Sequence, residues 1–272
     1  MLNILKEISA RRNLIFQLSA KDLKIRYSRP MLGIAWVFLS PFLTVAVFYT
    51  VFSLILKIRI QEAPFAFYLM SAIFTWRFFQ DSIMCSTTSL VDNKNLIKES
   101  NFPHYLIPFS IVVTNFINFL PCLAILVITS LVLNGISLLT LFLPAIIAAH
   151  FIIILGLSII SSIIYVRFRD IKYILEVVLL LLFYLTPAFY SLSFVKESFS
   201  PILYKAYLYN PLTIVLNLYR VTLLKGFYNR FQNSLGILPA IFTLIIFTFI
   251  ILVSASYFYR KNKNTINDYL SY

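Results

Sequence analysis

GIAWVFLSPFLTVAVFYTVFSLIL, residues 33–56, contains no charged side chain from end to end. A hydrocarbon core about 30 Å thick is crossed by ~20 apolar residues of helix, so this stretch predicts a membrane-spanning helix. Further apolar stretches over 64–89, 106–133, 140–165, 173–194 and 235–258 predict five more. They are separated by short polar or proline-bearing segments: KIRIQEAP from Lys57, DNKNLIKESNFPH from Asp92, NGIS from Asn134 and VRFRD from Val166. The fold predicted is an all-α integral membrane protein, a single domain over 1–272. It has six helices over 33–258, an N-terminal segment 1–32 and a tail 259–272.

Composition agrees with that reading. The 272 residues are 60% hydrophobic and 12% charged, whereas soluble domains carry roughly 45–50% apolar and about 25% charged residues. A formal net charge of +13 is compatible with nucleic acid, but the placement of the cations points to a membrane and to no nucleic-acid partner. In the six-span arrangement the N-terminal segment, the second-to-third and fourth-to-fifth loops and the tail hold most of the Lys and Arg. Cytoplasmic loops carry that excess, which predicts both termini on the cytoplasmic side. The fifth loop runs against the trend, with Lys196, Lys205, Arg220, Lys225 and Arg230 on the opposite face.

The first 27 residues, MLNILKEISARRNLIFQLSAKDLKIRY, lack the uninterrupted apolar core of 7–15 residues that a signal peptide needs. Their mixture of Leu, Ile and Phe with Arg and Lys predicts an amphipathic helix along the headgroups, with a soluble helical lead-in as the alternative. The long fifth loop, about 195–234, is too rich in Leu, Ile, Val and Tyr for a solvated loop. It predicts interfacial or re-entrant structure, with two short helices broken at Asn210-Pro211. No internal repeat of the kind found in inverted-repeat carriers is evident.

Catalytic chemistry is poorly supplied. The five glycines, at 33, 135, 156, 226 and 236, cannot form G-x-x-x-x-G-K-[ST] or G-x-G-x-x-G, so the chain has no phosphate-cradling loop. Cys85 and Cys122 lie in apolar runs, where a thiol acts as a small apolar group, and no disulfide framework is implied. His150 stands without a Cys or acidic neighbour at ligand spacing and is read as hydrogen-bonding inside the helix bundle; His104 falls in a loop. No catalytic residue, resident cofactor or metal site is predicted.

Two aromatic faces and one charge pair stand out. At 100° per residue, Phe38, Phe42, Tyr49 and Phe52 occupy a sector of about 80° on the first span. On the fifth, Phe183, Tyr190 and Phe194 share a narrow sector with Glu176 and Pro187 if the helix continues through its proline. Either face can be lipid-facing bulk or a channel wall, since rigid rings can contact the C–H faces of sugars. Arg77 and Asp81, four residues apart on the second span, share a face and can pair. Charges at such depth face protein or water, as a structural pair or as part of a substrate path.

From Lys21 to Phe52, KDLKIRYSRPMLGIAWVFLSPFLTVAVFYTVF resembles the start of the type-2 ABC transporter permeases that export O-antigen, capsule and teichoic acid. Leu32, Gly33, Trp36 and Pro41 carry the most specific part. FTWRFF at 74–79, NLIKESNFP at 95–103, RFRDIKYI at 167–174, LTPAFY at 185–190 and NPLT at 210–213 agree in order and spacing. Thr75 stands where that resemblance leads one to expect proline, and Arg77 is an added charge.

The resemblance implies the membrane subunit of an ATP-driven exporter of lipid-linked polysaccharide in the bacterial inner membrane. It implies a homodimer of this chain with two copies of a separate ABC ATPase, which holds ATP and Mg. It implies a coupling helix over Lys94, Asn95, Leu96, Ile97, Lys98 and Glu99, with Leu96 and Ile97 as apolar anchors, although a solvated loop reads equally from the residues. It also implies a channel bordered by spans one and five and short gate helices in the fifth loop. Lys21, Lys24, Arg26 and Arg29 form a basic belt suited to a lipid phosphate or simply to anionic headgroups. The alternatives are an ABC permease for a drug or another lipid and, in a different class, an integral-membrane transferase acting on lipid-linked sugars.

Overall fold

The structure is a computed structural model that describes residues 11–28, 32–58, 60, 63–98, 102–134 and 138–271. Among these residues the only regular elements are helices, joined by turns and bends, with no strand. The helices are α1 (Arg12–Ser28), α2 (Trp36–Phe48), α3 (Phe65–Asp92), α4 (Lys94–Lys98), α5 (Leu106–Asn134), α6 (Leu143–Arg167) and α7 (Ile171–Tyr184). They continue as α8 (Leu192–Ser198), α9 (Pro201–Leu208), α10 (Pro211–Leu223), α11 (Phe227–Ser234) and α12 (Ile237–Ser271).

Among the described residues, four helical stretches are long and apolar enough to cross a membrane: Trp36–Ile55, Leu106–Leu133, Leu138–Arg167 and Ile237–Lys263. The first joins α2 to a π-helical stretch, Tyr49–Ile55. Gly33, with φ +48°, turns the chain between α1 and α2, a left-handed conformation that suits a residue without Cβ. Pro41 and Pro121 lie inside α2 and α5.

The 28 residues of α3 would extend about 42 Å, yet the helix carries Arg77, Gln80, Asp81 and a series of Ser and Thr. Its surroundings make this possible. α3 lies at the centre, packed by α2, α5, α6, α7 and α10, with residues from Phe65 to Leu90 buried in turn after turn. A helix sheathed in protein has no need of an apolar face all round. Its hydroxyls bond back to their own helix: Thr75 to Ser71 O at 2.6 Å and Thr87 to Ile83 O at 2.7 Å.

Span five departs from expectation. The span predicted over 173–194 is expected to kink at Pro187; instead its helix ends at Tyr184, ten residues early, so its 14 residues reach only about 21 Å. Pro187 is the physical cause. It has no N–H to donate, its ring clashes with the carbonyl four residues back, and the residue before it is driven from helical backbone. The chain bends through Leu185–Tyr190 and resumes as α8, so Tyr190 and Phe194 leave the helix axis and the predicted common sector with Phe183 does not form.

The break at Asn210-Pro211 is present. The Leu212 N–H donates to Asn210 Oδ1 at 3.1 Å, capping α10, and Pro211 occupies its first turn. The fifth loop nevertheless holds four short helices, α8 to α11, rather than two. α10 is the most deeply enclosed of them, with Thr213 to Leu223 all buried.

Candidate functional site

The aromatic residues of the first span and of the broken fifth segment meet in one seam. Phe52 stacks on Phe189 with ring centroids 4.6 Å apart. Phe48 lies 5.8 Å from each of Phe52, Phe183 and Phe189. Phe183 also contacts Trp76 at 5.4 Å, which ties the seam to the central helix. The other predicted rings are distributed differently. Phe42 sits edge-on to Phe74 at 5.3 Å and Tyr49 lies 6.3 Å from Phe65. Phe38 is exposed, and Phe194, 61% exposed, touches the seam only through Tyr190 at 6.4 Å. Phe48 and Phe189 complete the seam without having been singled out from sequence; the bend at Pro187 is what turns Phe189 toward α2.

That bend is held by Arg220 of α10, fully buried. Its guanidinium donates to the carbonyls of Pro187 at 2.5 Å, Ala188 at 3.0 Å and Tyr68 at 3.3 Å, and to Ser71 Oγ at 3.3 Å. It lies 3.4 Å over the Tyr68 ring. The Tyr68 hydroxyl then donates to Tyr190 O at 2.9 Å, and the Tyr190 hydroxyl, which accepts from Tyr207 at 3.1 Å, donates to Tyr184 O at 2.9 Å. The cation tally above placed Arg220 on the face of a loop; instead it replaces the backbone bonds lost where the fifth segment breaks. The available signal was a lone Arg in the apolar run PLTIVLNLYRVTLL.

Arg77 and Asp81 pair as their spacing predicts, Nε to Oδ2 at 3.7 Å. Arg77 Nη1 also donates to Ser40 Oγ at 2.6 Å. Arg26 joins them from α1, donating to Asn115 Oδ1 at 2.8 Å and to the Cys85 thiol at 3.6 Å. Arg26, Arg77, Asp81 and Asn115 line a cavity of about 100 Å³ between α1, α2, α3 and α5. The basic belt therefore divides. Lys21 and Lys24 are exposed on α1, whereas Arg26 turns inward; Arg29 lies outside the described residues. α1 is fastened to α5 by Ser19, which donates to Ser110 O at 3.0 Å, and by the buried Ile15 against Tyr105 and Leu106. Half-buried Asp22 has its carboxyl raised by desolvation, against the pull of Lys21 and Arg26.

In α4, Ile97 is buried with Leu90, Ile107, Ile163, Val166 and Ile266. Lys94 and Asn95 are exposed and Leu96 is half-buried. Glu99 and the Lys98 side chain lie outside the described residues. His150 is buried, with Nδ1 3.4 Å from the Tyr219 hydroxyl, the bundle hydrogen bond expected of it. Among the described residues no cluster of His, Cys, Asp and Glu could hold a metal. A second, open polar hollow of about 490 Å³ lies between α8, α9 and α11, lined by Lys196, Tyr204, Asn229, Arg230 and Asn233.

The ABC-2 type transporter family matches the chain over residues 13–224. An O-antigen export system permease protein (RfbA) of Klebsiella pneumoniae is 30% identical over 241 residues, covering 86% of this chain and 91% of the relative. A second from the same organism is 30% identical over 86% of this chain and 89% of its own length. An O-antigen export system permease protein of Myxococcus xanthus is 29% identical over 72% of this chain and 75% of its own.

Proposed function

The chain belongs to the ABC-2 type transporter family, and from that premise we propose that it is the membrane-spanning subunit of an ATP-driven exporter of lipid-linked polysaccharide. The observation that carries this reading is the similarity to O-antigen export permeases along nine-tenths of a relative's length. The aromatic seam supports it physically. Rings on α2 and on the broken fifth segment offer a rigid, uncharged surface that can slide along sugar C–H faces, and closing it requires no ion pair to be broken.

In this reading α3 is the second span and α7, with the bent chain after it, the fifth, giving six spans in the bacterial inner membrane with both termini cytoplasmic. Two copies of the chain assemble with two copies of a separate ATPase, which holds ATP and Mg²⁺ and seats on α4. Because Ile97 is committed to the chain's own core, Lys94, Asn95 and Leu96 are, among the described residues of the segment, the groups left to meet that partner. The hollow beside Tyr204 suits the emerging glycan by its amides and aromatic ring.

The test is ATP hydrolysis by the chain reconstituted in lipid with the ATPase encoded beside it, with and without a lipid-linked glycan. Hydrolysis that requires both subunits and responds to glycan is expected. Failure to form any complex with such an ATPase would overturn the reading.

A further inference from the structure

The cavity between α1, α2, α3 and α5 holds more hydrogen-bond donors and more positive charge than the protein satisfies. Each guanidinium carries five N–H donors. Arg26 uses one on Asn115 and another on a thiol, a weak acceptor, while Arg77 uses one on Ser40 and reaches Asp81 only at 3.7 Å. Asn115 is 4% exposed, and its Nδ2 lies buried without a hydrogen bond of ordinary geometry. Within the cavity wall two guanidiniums face one carboxylate, Asp81, while Asp22 acts on Arg26 from outside it. The remaining wall is mixed: Phe74, Phe78 and Phe119 are apolar, and Tyr27 and Asn118 add polar groups. In such surroundings an unmatched cation is costly, and the cheapest remedy is an anion that accepts several N–H bonds at once.

We propose that this cavity binds a phosphate group, the phosphoryl head of the lipid-borne substrate, with Arg26, Arg77 and Asn115 as donors. Its volume of about 100 Å³ has room for one phosphate group. Guanidinium matches phosphate oxygens in pairs of parallel bonds. Asp81 competes with the ligand for Arg77 and offsets only part of the positive charge of the empty site. The proposal rests on the lipid-linked-substrate reading above and adds where its charged head is held.

Full-length chain purified in dodecyl maltoside, a detergent without phosphorus, is titrated with dodecyl phosphate and separately with inorganic phosphate, each followed by its ³¹P resonance. Saturable binding of dodecyl phosphate is expected, weakened about tenfold by Arg77→Gln and partly restored by Arg77→Lys. Asp81→Asn removes the competitor and tightens binding, while Lys205→Gln, an exposed cation on α9, leaves it unchanged. If Arg77→Gln does not fold, Asp81→Asn decides alone. A purely structural ion pair predicts that Asp81→Asn lowers the melting temperature without altering affinity, and that result overturns the site. Inorganic phosphate binding as tightly as dodecyl phosphate overturns the lipid-borne assignment. Glycan-stimulated ATP hydrolysis beside unaltered phosphate binding would remove the site and leave the export reading standing. Binding that follows both variants without any glycan response would do the reverse.

Discussion

Arg220 makes four hydrogen bonds and, among the described residues, no ion pair. Its role follows from the broken helix. Where Pro187 stops the i to i−4 ladder, the Pro187 and Ala188 carbonyls face the protein interior and need donors. A planar fork carries five N–H donors spread over a wide, rigid head, whereas a compact ammonium has three. Arg220→Met is expected to leave those carbonyls unsatisfied, at about 1–3 kcal/mol each, and Arg220→Lys to recover less than half of the loss. Thermal unfolding of the detergent-solubilised chain measures both. A melting temperature unmoved by either substitution would show that the bend holds itself.

At the scale of elements, α6 and α12 pack closely at Gly156. A Cβ there would run into the Ile251 side chain and lie 3.3 Å from the Ile251 carbonyl, with Ala255 Cβ at 3.6 Å. Apolar burial gives helices little reason to associate in lipid, so close packing of small residues matters more. Gly156→Leu is expected to pry α12 from α6 and to lower stability more than Gly226→Ala does on the short α11; comparison of the two melting temperatures checks this. The consequence reaches α4, because Ile97 packs with Val166 at the end of α6 and Ile266 on α12. A push on α4 therefore acts directly on two long helices.

At the scale of the molecule, one chain leaves much of its apolar surface uncovered. Phe38, Leu43 and Val47 on α2, Val177 and Leu181 on α7, and Phe242 and Phe249 on α12 are all exposed. Lipid and a second copy are the occupants the proposed assembly supplies. The partner ATPase is expected to contact the exposed edge of α4, so Leu96→Asp with Lys94→Glu should abolish co-purification of the ATPase while leaving the melting temperature of the chain within about 1 °C. Unchanged co-purification would move the contact elsewhere. Each substitution avoids Ile97, whose loss would open the chain's own core.

Hydropathy along the sequence sufficed for the membrane class and the limits of most long helices, because ~20 consecutive apolar residues have few destinations but lipid or a core of similar thickness. Spacing alone also paired Arg77 with Asp81, since four residues bring side chains together on any helix. Tertiary structure decided the rest. Only the packed fold shows α3 sheathed by its neighbours, which is why it can be polar, and Arg26 turned inward while Lys21 and Lys24 stay outside. Only the fold shows α7 ending at Tyr184 and Arg220 taking the carbonyls beyond it. Periodicity describes one helix in isolation; where a proline frees carbonyls, the group that answers them is chosen by three-dimensional proximity, here between Pro187 and a residue 33 positions further along the chain.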